Sequence, residues 1–132
     1  MKTALGGKRM TDDVTEQREP SRAEMLIDLG TLSLRSEREG DVHAIRLSGE
    51  LDLATADEVQ RELERVEATD AQSIVLDLSE LTFMDSTGVR LLVTAHARAR
   101  ADSDRLTVLR GGRAVQRILQ LSGVDALLPF AD

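Results

Sequence analysis

The chain predicts an α/β fold: one small domain whose mixed, four- to five-stranded sheet has helices packed mainly on one face. Three observations lead there. Leu32 and Leu34 alternate with Ser33 and Arg35, and Val42 to Leu47 follow a Glu39-Gly40-Asp41 turn, so the first two strands read as an antiparallel hairpin. Ile74-Val75-Leu76-Asp77-Leu78 is almost continuously apolar, as in a central strand covered on both faces. Around these runs, apolar residues recur at three- and four-residue spacing, the pattern of helices that shield a sheet. With 132 residues there is material for one domain with a single core.

Residues 1–24 are polar and mixed in charge, include Gly6-Gly7 and Pro20-Ser21, and show neither period. They read as a disordered tail, because they cannot bury enough apolar surface to offset ordering entropy, and residues 25–132 read as the folded domain. His43 falls in the second strand with no other histidine nearby, which makes no metal-ligand pattern. Gly49-Glu50-Leu51-Asp52 reads as a polar break before a helix. Thr55 and Glu58 have capping-box spacing, and Ala56, Val59, Leu63 and Val66 share one face of the helix that follows. After the apolar strand, a second helix starts near Val89 and runs to about Ala99. Arg98 and Arg100 near its end complement the helix dipole, and His96 falls on its rim. Leu106 to Leu109 is the next strand. Gly111-Gly112 lacks the spacing and the lysine of a nucleotide-binding loop and reads as a turn. Val115, Ile118 and Leu119 mark a third helix, stopped by Gly123, and Ala126 to Phe130 add a short strand or a capping segment. Strands alternating with helices imply right-handed crossovers on one sheet.

Composition removes several function classes. Only Phe83 and Phe130 are aromatic, so the core is aliphatic and the stacking platforms of single-strand nucleic-acid binders are missing. A formal net charge of −7 argues against direct binding to nucleic acid and favours a basic or mixed-charge protein partner. There is no cysteine, hence no disulfide, thiolate chemistry or cysteine metal site. No apolar stretch approaches the roughly 20 residues of a membrane span. Lys2, Lys8 and Arg9 precede no apolar segment of a signal peptide. The expectations are a cytoplasmic location, no metal or cofactor, and a monomer as the simpler state.

The most informative stretch is Asp85-Ser86-Thr87-Gly88, a polar island between two apolar segments. It falls at the start of the second helix, where the first backbone N–H groups lack intrahelical partners. Ser86 there can be a helix cap, a catalytic nucleophile or a phosphate acceptor. A serine nucleophile needs a base within reach. His96 lies ten residues further along the same helix, about 15 Å away at 1.5 Å per residue. His43 stays open on geometry, but no Gly-x-Ser-x-Gly elbow is present, and pairs drawn from Asp52, Asp77 and Asp85 carry no specific signal. The residues therefore favour a binding module over an enzyme, with no catalytic residue assigned.

Four segments in order, Ile45-Arg46-Leu47-Ser48-Gly49-Glu50-Leu51-Asp52, Ile74-Val75-Leu76-Asp77-Leu78, Phe83-Met84-Asp85-Ser86-Thr87-Gly88 and Leu119-Gln120-Leu121-Ser122-Gly123-Val124, resemble the STAS family, specifically the bacterial anti-sigma factor antagonists. The resemblance covers about residues 30–130. It implies a domain that binds an anti-sigma factor with serine kinase activity, so that a sigma factor is released. It implies phosphorylation of Ser86 by that kinase, loss of binding, and reversal by a phosphatase. It places Asp52 near Ser86 in support of the partner contact, with Asp85, Thr87, Gly88 and Val89 around it. Arg90 departs from the small or apolar residue that many relatives carry, which bears on the partner's identity. An alternative role within the same family is a module of a stress-sensing complex or of a lipid or anion transport system.

Overall fold

Residues 22–131 are described by a computed structural model. Eight elements follow in chain order: β1 (Arg22–Asp28), β2 (Leu32–Glu39), β3 (Val42–Leu51), α1 (Ala56–Glu67), β4 (Ser73–Met84), α2 (Ser86–Asp102), β5 (Leu106–Leu109) and α3 (Arg113–Leu121). The five strands form one mixed sheet in the order β1-β2-β3-β4-β5. The first three run antiparallel, and β3, β4 and β5 run parallel through the crossover helices α1 and α2.

One face of the sheet carries the core. Leu32 and Leu34 of β2, Ile45 and Leu47 of β3, and Ile74, Leu76 and Leu78 of β4 are buried there. They pack with Val59, Leu63 and Val66 of α1, Leu91, Leu92 and Ala95 of α2, and Val115 and Leu119 of α3. The opposite face carries a cross-strand row of Leu26, Arg35, Arg46, Asp77 and Leu109. Asp77 is buried on that face, and Arg46 donates to it at 3.1 Å. Burial alone would raise the Asp77 carboxyl, but the hydrogen bonds from Ser79 and Arg46 outweigh it and hold the group below the ordinary carboxylate value.

Several expectations are amended. Arg22 to Glu24, placed in the tail, belong to β1; residues 1–21 lie outside the described residues. The polar Gly49-Glu50 does not end β3, which continues to Leu51, and β4 extends past Leu78 to Met84. The Thr55–Glu58 capping box does not form. The Thr55 hydroxyl instead donates to the Glu50 carbonyl at 2.9 Å and accepts from the Asp52 N–H at 3.0 Å, which closes the loop from β3 into α1. Ala126 to Phe130 contributes a single parallel bridge from Phe130 to Val108. Gly123 does follow α3, with φ of +77°.

At the end of the sheet where α1 leaves for β4, Arg105 bonds three backbone carbonyls. Its guanidinium donates to the carbonyls of Glu67, Thr69 and Ala71 at 2.6, 3.1 and 2.5 Å. These satisfy the carbonyls left over at the end of α1 and in the connection to β4.

Candidate functional site

Strands β3 and β4 are parallel neighbours that finish side by side, with Leu51 opposite Met84. The chain leaves β3 into the Asp52–Thr55 loop and leaves β4 directly into α2, so both exits meet at one corner. Asp85 is the residue that joins them. One carboxylate oxygen accepts from the N–H groups of Thr87 and Gly88 at 2.9 and 3.2 Å, and the other accepts from the Leu53 N–H at 3.2 Å. The cap of α2 is therefore Asp85 and not Ser86.

With its capping role taken, Ser86 stands at the first helical position, exposed, and its hydroxyl has no hydrogen-bond partner among the described residues. Thr87 and Val89 are half-buried beside it. Gly88 is buried against β3, where an added Cβ would lie 2.6 Å from Met84 Cγ and 3.0 Å from the Leu51 carbonyl oxygen. Its smallness lets the first turn of α2 sit directly on the end of β3. Asp52 is half-buried; its carboxylate accepts from the Ala54 N–H at 3.0 Å and so shapes the loop. The structure thus gathers Asp52, Asp85, Ser86, Thr87, Gly88 and Val89 at one corner. Two large apolar residues that the sequence reading did not single out are exposed at the same end, Leu53 at 77% and Phe83 at 44%. An apolar residue in a loop next to the Gly-Glu-Leu-Asp segment was the available signal for Leu53.

A concavity of about 320 Å³ lies at the opposite end of the sheet, among Ile74, Ala99 and Leu106, and one of about 500 Å³ lies on the helix-free face beside Leu26 and Arg46. Neither is lined by Asp52, Asp85 or Ser86. A corner with exposed apolar residues suits docking of a protein better than capture of a small substrate.

The structure also removes His43 as a base for Ser86. It sits near the start of β3, roughly 26 Å along the strand from Leu51 at about 3.3 Å per residue. Its Nε2 lies 2.6 Å from the Ser36 hydroxyl. Ser36 also hydrogen-bonds the buried Glu62, which Arg65 holds with two bonds of 2.8 and 2.6 Å. Burial, with Arg65 and Arg38 nearby, lowers the His43 pKa from 6.5, against a smaller opposing pull from Glu62. For Glu62, burial favours the neutral acid, but the bonds from Arg65 and Ser36 win and lower its pKa from 4.5. In both cases the unfolded chain takes up the proton first as pH falls. Stability is thus expected to decline on acidification from pH 6.5, and further below pH 4.5. Urea midpoints measured between about pH 7.5 and 5.5 check this; His43→Asn should remove the slope in that window.

Comparison with known proteins is consistent with this geometry. The STAS domain family model matches residues 33–132. An anti-sigma F factor antagonist of Paenibacillus polymyxa is 31% identical over 102 residues, covering 76% of this chain and 87% of that protein. An anti-sigma-B factor antagonist of Listeria monocytogenes is 28% identical over 92 residues, covering 70% of this chain and 81% of that protein. Among solved structures, an anti-sigma factor antagonist of Mycobacterium paratuberculosis superposes with a TM-score of 0.61 at 23% identity, covering 87% of this chain and 89% of that one. SpoIIAA in its unphosphorylated form superposes at 0.58 with 23% identity, covering 83% and 89%. SpoIIAA of Bacillus in its phosphorylated form superposes at 0.53 with 22% identity, covering 83% and 92%. On the strength of a family match that runs from β2 through α3 and takes in the Ser86 corner, the chain belongs to the STAS domain family.

Proposed function

We propose that this protein is an anti-sigma factor antagonist that binds an anti-sigma factor with serine kinase activity and so frees a sigma factor. Phosphorylation of Ser86 by that kinase switches it off, and a phosphatase restores it. It acts in the cytoplasm as a regulatory binding protein and not as an enzyme. One observation carries the reading: the Ser86 hydroxyl is exposed and unbonded at the corner where β3, β4 and α2 meet. The names of its relatives, and the existence of SpoIIAA in two phosphorylation states, agree with it.

The corner supplies the physical basis. Leu53 and Phe83 offer apolar anchors, and Asp52, Thr87 and Val89 surround the hydroxyl. Asp85 and Gly88 hold the shape from within. A phosphate adds roughly −1.5 to −2 charge and three acceptor oxygens. The N–H groups of Thr87 and Gly88, which would otherwise receive it, are taken by Asp85. The new charge therefore stays on the outside, next to an existing carboxylate, where the partner has to close.

Labelled ATP tests the reading. The chain alone should take up no label, addition of a kinase-type anti-sigma factor should label it, and Ser86→Ala should abolish labelling while retaining the complex. Labelling of Ser86→Ala at the same rate would reject Ser86 as the acceptor.

A further inference from the structure

The two edges of the sheet are finished differently. At β5, Val108 donates to the Pro129 carbonyl at 3.0 Å and accepts from the Ala131 N–H at 3.0 Å, so the C-terminal segment closes that edge. At β1, no described residue pairs with the outer edge. Leu29 donates to the Leu32 carbonyl at 2.8 Å, which sets the phase of the β1–β2 ladder. Ala23, Met25 and Ile27 then exchange hydrogen bonds with β2, and Arg22, Glu24, Leu26 and Asp28 turn their backbone groups outward. Leu26 is 64% exposed and Met25 37%. A seven-residue strand whose outer ladder no described residue fills, with exposed apolar side chains, is a template for another strand.

We infer that the occupant is β1 of a second copy, paired antiparallel about a two-fold axis at Met25, which joins two sheets into one. The strand is self-complementary in that register. Arg22 falls opposite Asp28 of the second copy and Glu24 opposite Leu26, so all four outward-facing residues meet outward-facing residues. Met25 meets itself in a position that needs no new hydrogen bond. The contact lies at the far side of β1, β2 and β3 from the Ser86 corner, so pairing leaves that corner open. An isologous interface of this size is small, so the dimer is concentration-dependent.

The register can be read with single cysteines in the full-length chain, which has none of its own. Non-hydrogen-bonded antiparallel partners have Cα atoms about 4.5 Å apart, within the disulfide range, whereas Leu26 lies two residues out of step with its own copy. Met25→Cys is expected to form a cross-linked dimer about tenfold faster than Leu26→Cys under mild oxidation. Equal rates would overturn the register. In sedimentation the unmodified chain should move with concentration from its 14.5 kDa mass toward twice that. Leu26→Pro, which removes an outward N–H and leaves the β2 ladder intact, should stay at the single-chain mass. A full-length chain that remains monomeric at every concentration, as it would if its own first 21 residues covered the edge, or a Leu26→Pro variant that still doubles, would refute the proposal.

Discussion

Ser86→Asp is expected to weaken binding to the kinase-type anti-sigma factor about 100-fold, with no loss of thermal stability. The expected weakening follows from where the new carboxylate has to go. Asp85 already occupies the N–H groups of Thr87 and Gly88, and its second oxygen holds the Leu53 N–H. A further negative charge one residue on finds those two donors already occupied and stands exposed beside Asp85. Closing a partner over it strips its water without replacing the hydrogen bonds. A penalty of about 3 kcal/mol for that desolvation corresponds to roughly 100-fold in affinity. Folding is unaffected because Ser86 is exposed, its hydroxyl makes no hydrogen bond among the described residues, and acidic residues are favoured in a first helical turn. Titration calorimetry and a thermal melt read the two halves separately. An unchanged affinity would mean that charge at this corner is not the switch.

Gly49→Ala is expected to be among the most destabilising single-methyl additions available to this domain, at about 4 kcal/mol. Gly49 has φ of +103°, a conformation that side chains other than glycine's rarely adopt. A Cβ there would lie 2.2 Å from the Thr31 carbonyl oxygen, which is backbone and accepts from the Glu50 N–H at 2.8 Å. Positive-φ strain of roughly 1–3 kcal/mol adds to an overpacking cost of similar size. Against a domain stability of about 5–15 kcal/mol, that loss threatens folding at physiological temperature. Gly40→Ala is the natural control. Its φ is +61°, nothing lies within 4 Å of the added atom, and it should cost about 1 kcal/mol. Denaturant midpoints that fall equally for the two variants would show that the Thr31 contact carries no weight.

The sequence is most legible where one local period decides the structure. Leu32 and Leu34 against Ser33 and Arg35 give β2, and the spacing of Val59, Leu63 and Val66 gives α1, because each pattern needs only one buried face. β1 escaped because Met25, Leu26 and Ile27 are consecutive and the strand lies at an edge, where alternation is weakly enforced. The far half of β4 escaped for another reason. Two register shifts give it more residues than β3 over the same length, so Leu78, Leu81 and Met84 are buried at a spacing of three, which does not read as a strand. The Thr55–Glu58 capping box failed, and the capping option for Ser86 fell away, through competition. Spacing identifies which hydroxyls could cap, but the Thr55 hydroxyl is claimed by Glu50 and Asp52, and Asp85 precedes Ser86 in reach of the same N–H groups. The Ser36–His43–Glu62 cluster depends on α1 lying over β2 and β3, a contact that no local pattern announces. The Ser86 corner itself was legible in composition, while the link from Asp85 to Leu53 required knowing that β3 and β4 stop together.

The Arg105 contacts bear on how the polypeptide matures on the ribosome. Three carbonyls that precede β4 wait for a single guanidinium encoded more than thirty residues later. Until translation has passed that codon, the exit of α1 stays unfinished and the nascent chain holds an incomplete half-domain. Assembly thereby couples the middle of the chain to a residue at the threshold of β5, and a product released before it would lack the clamp that seals the first crossover.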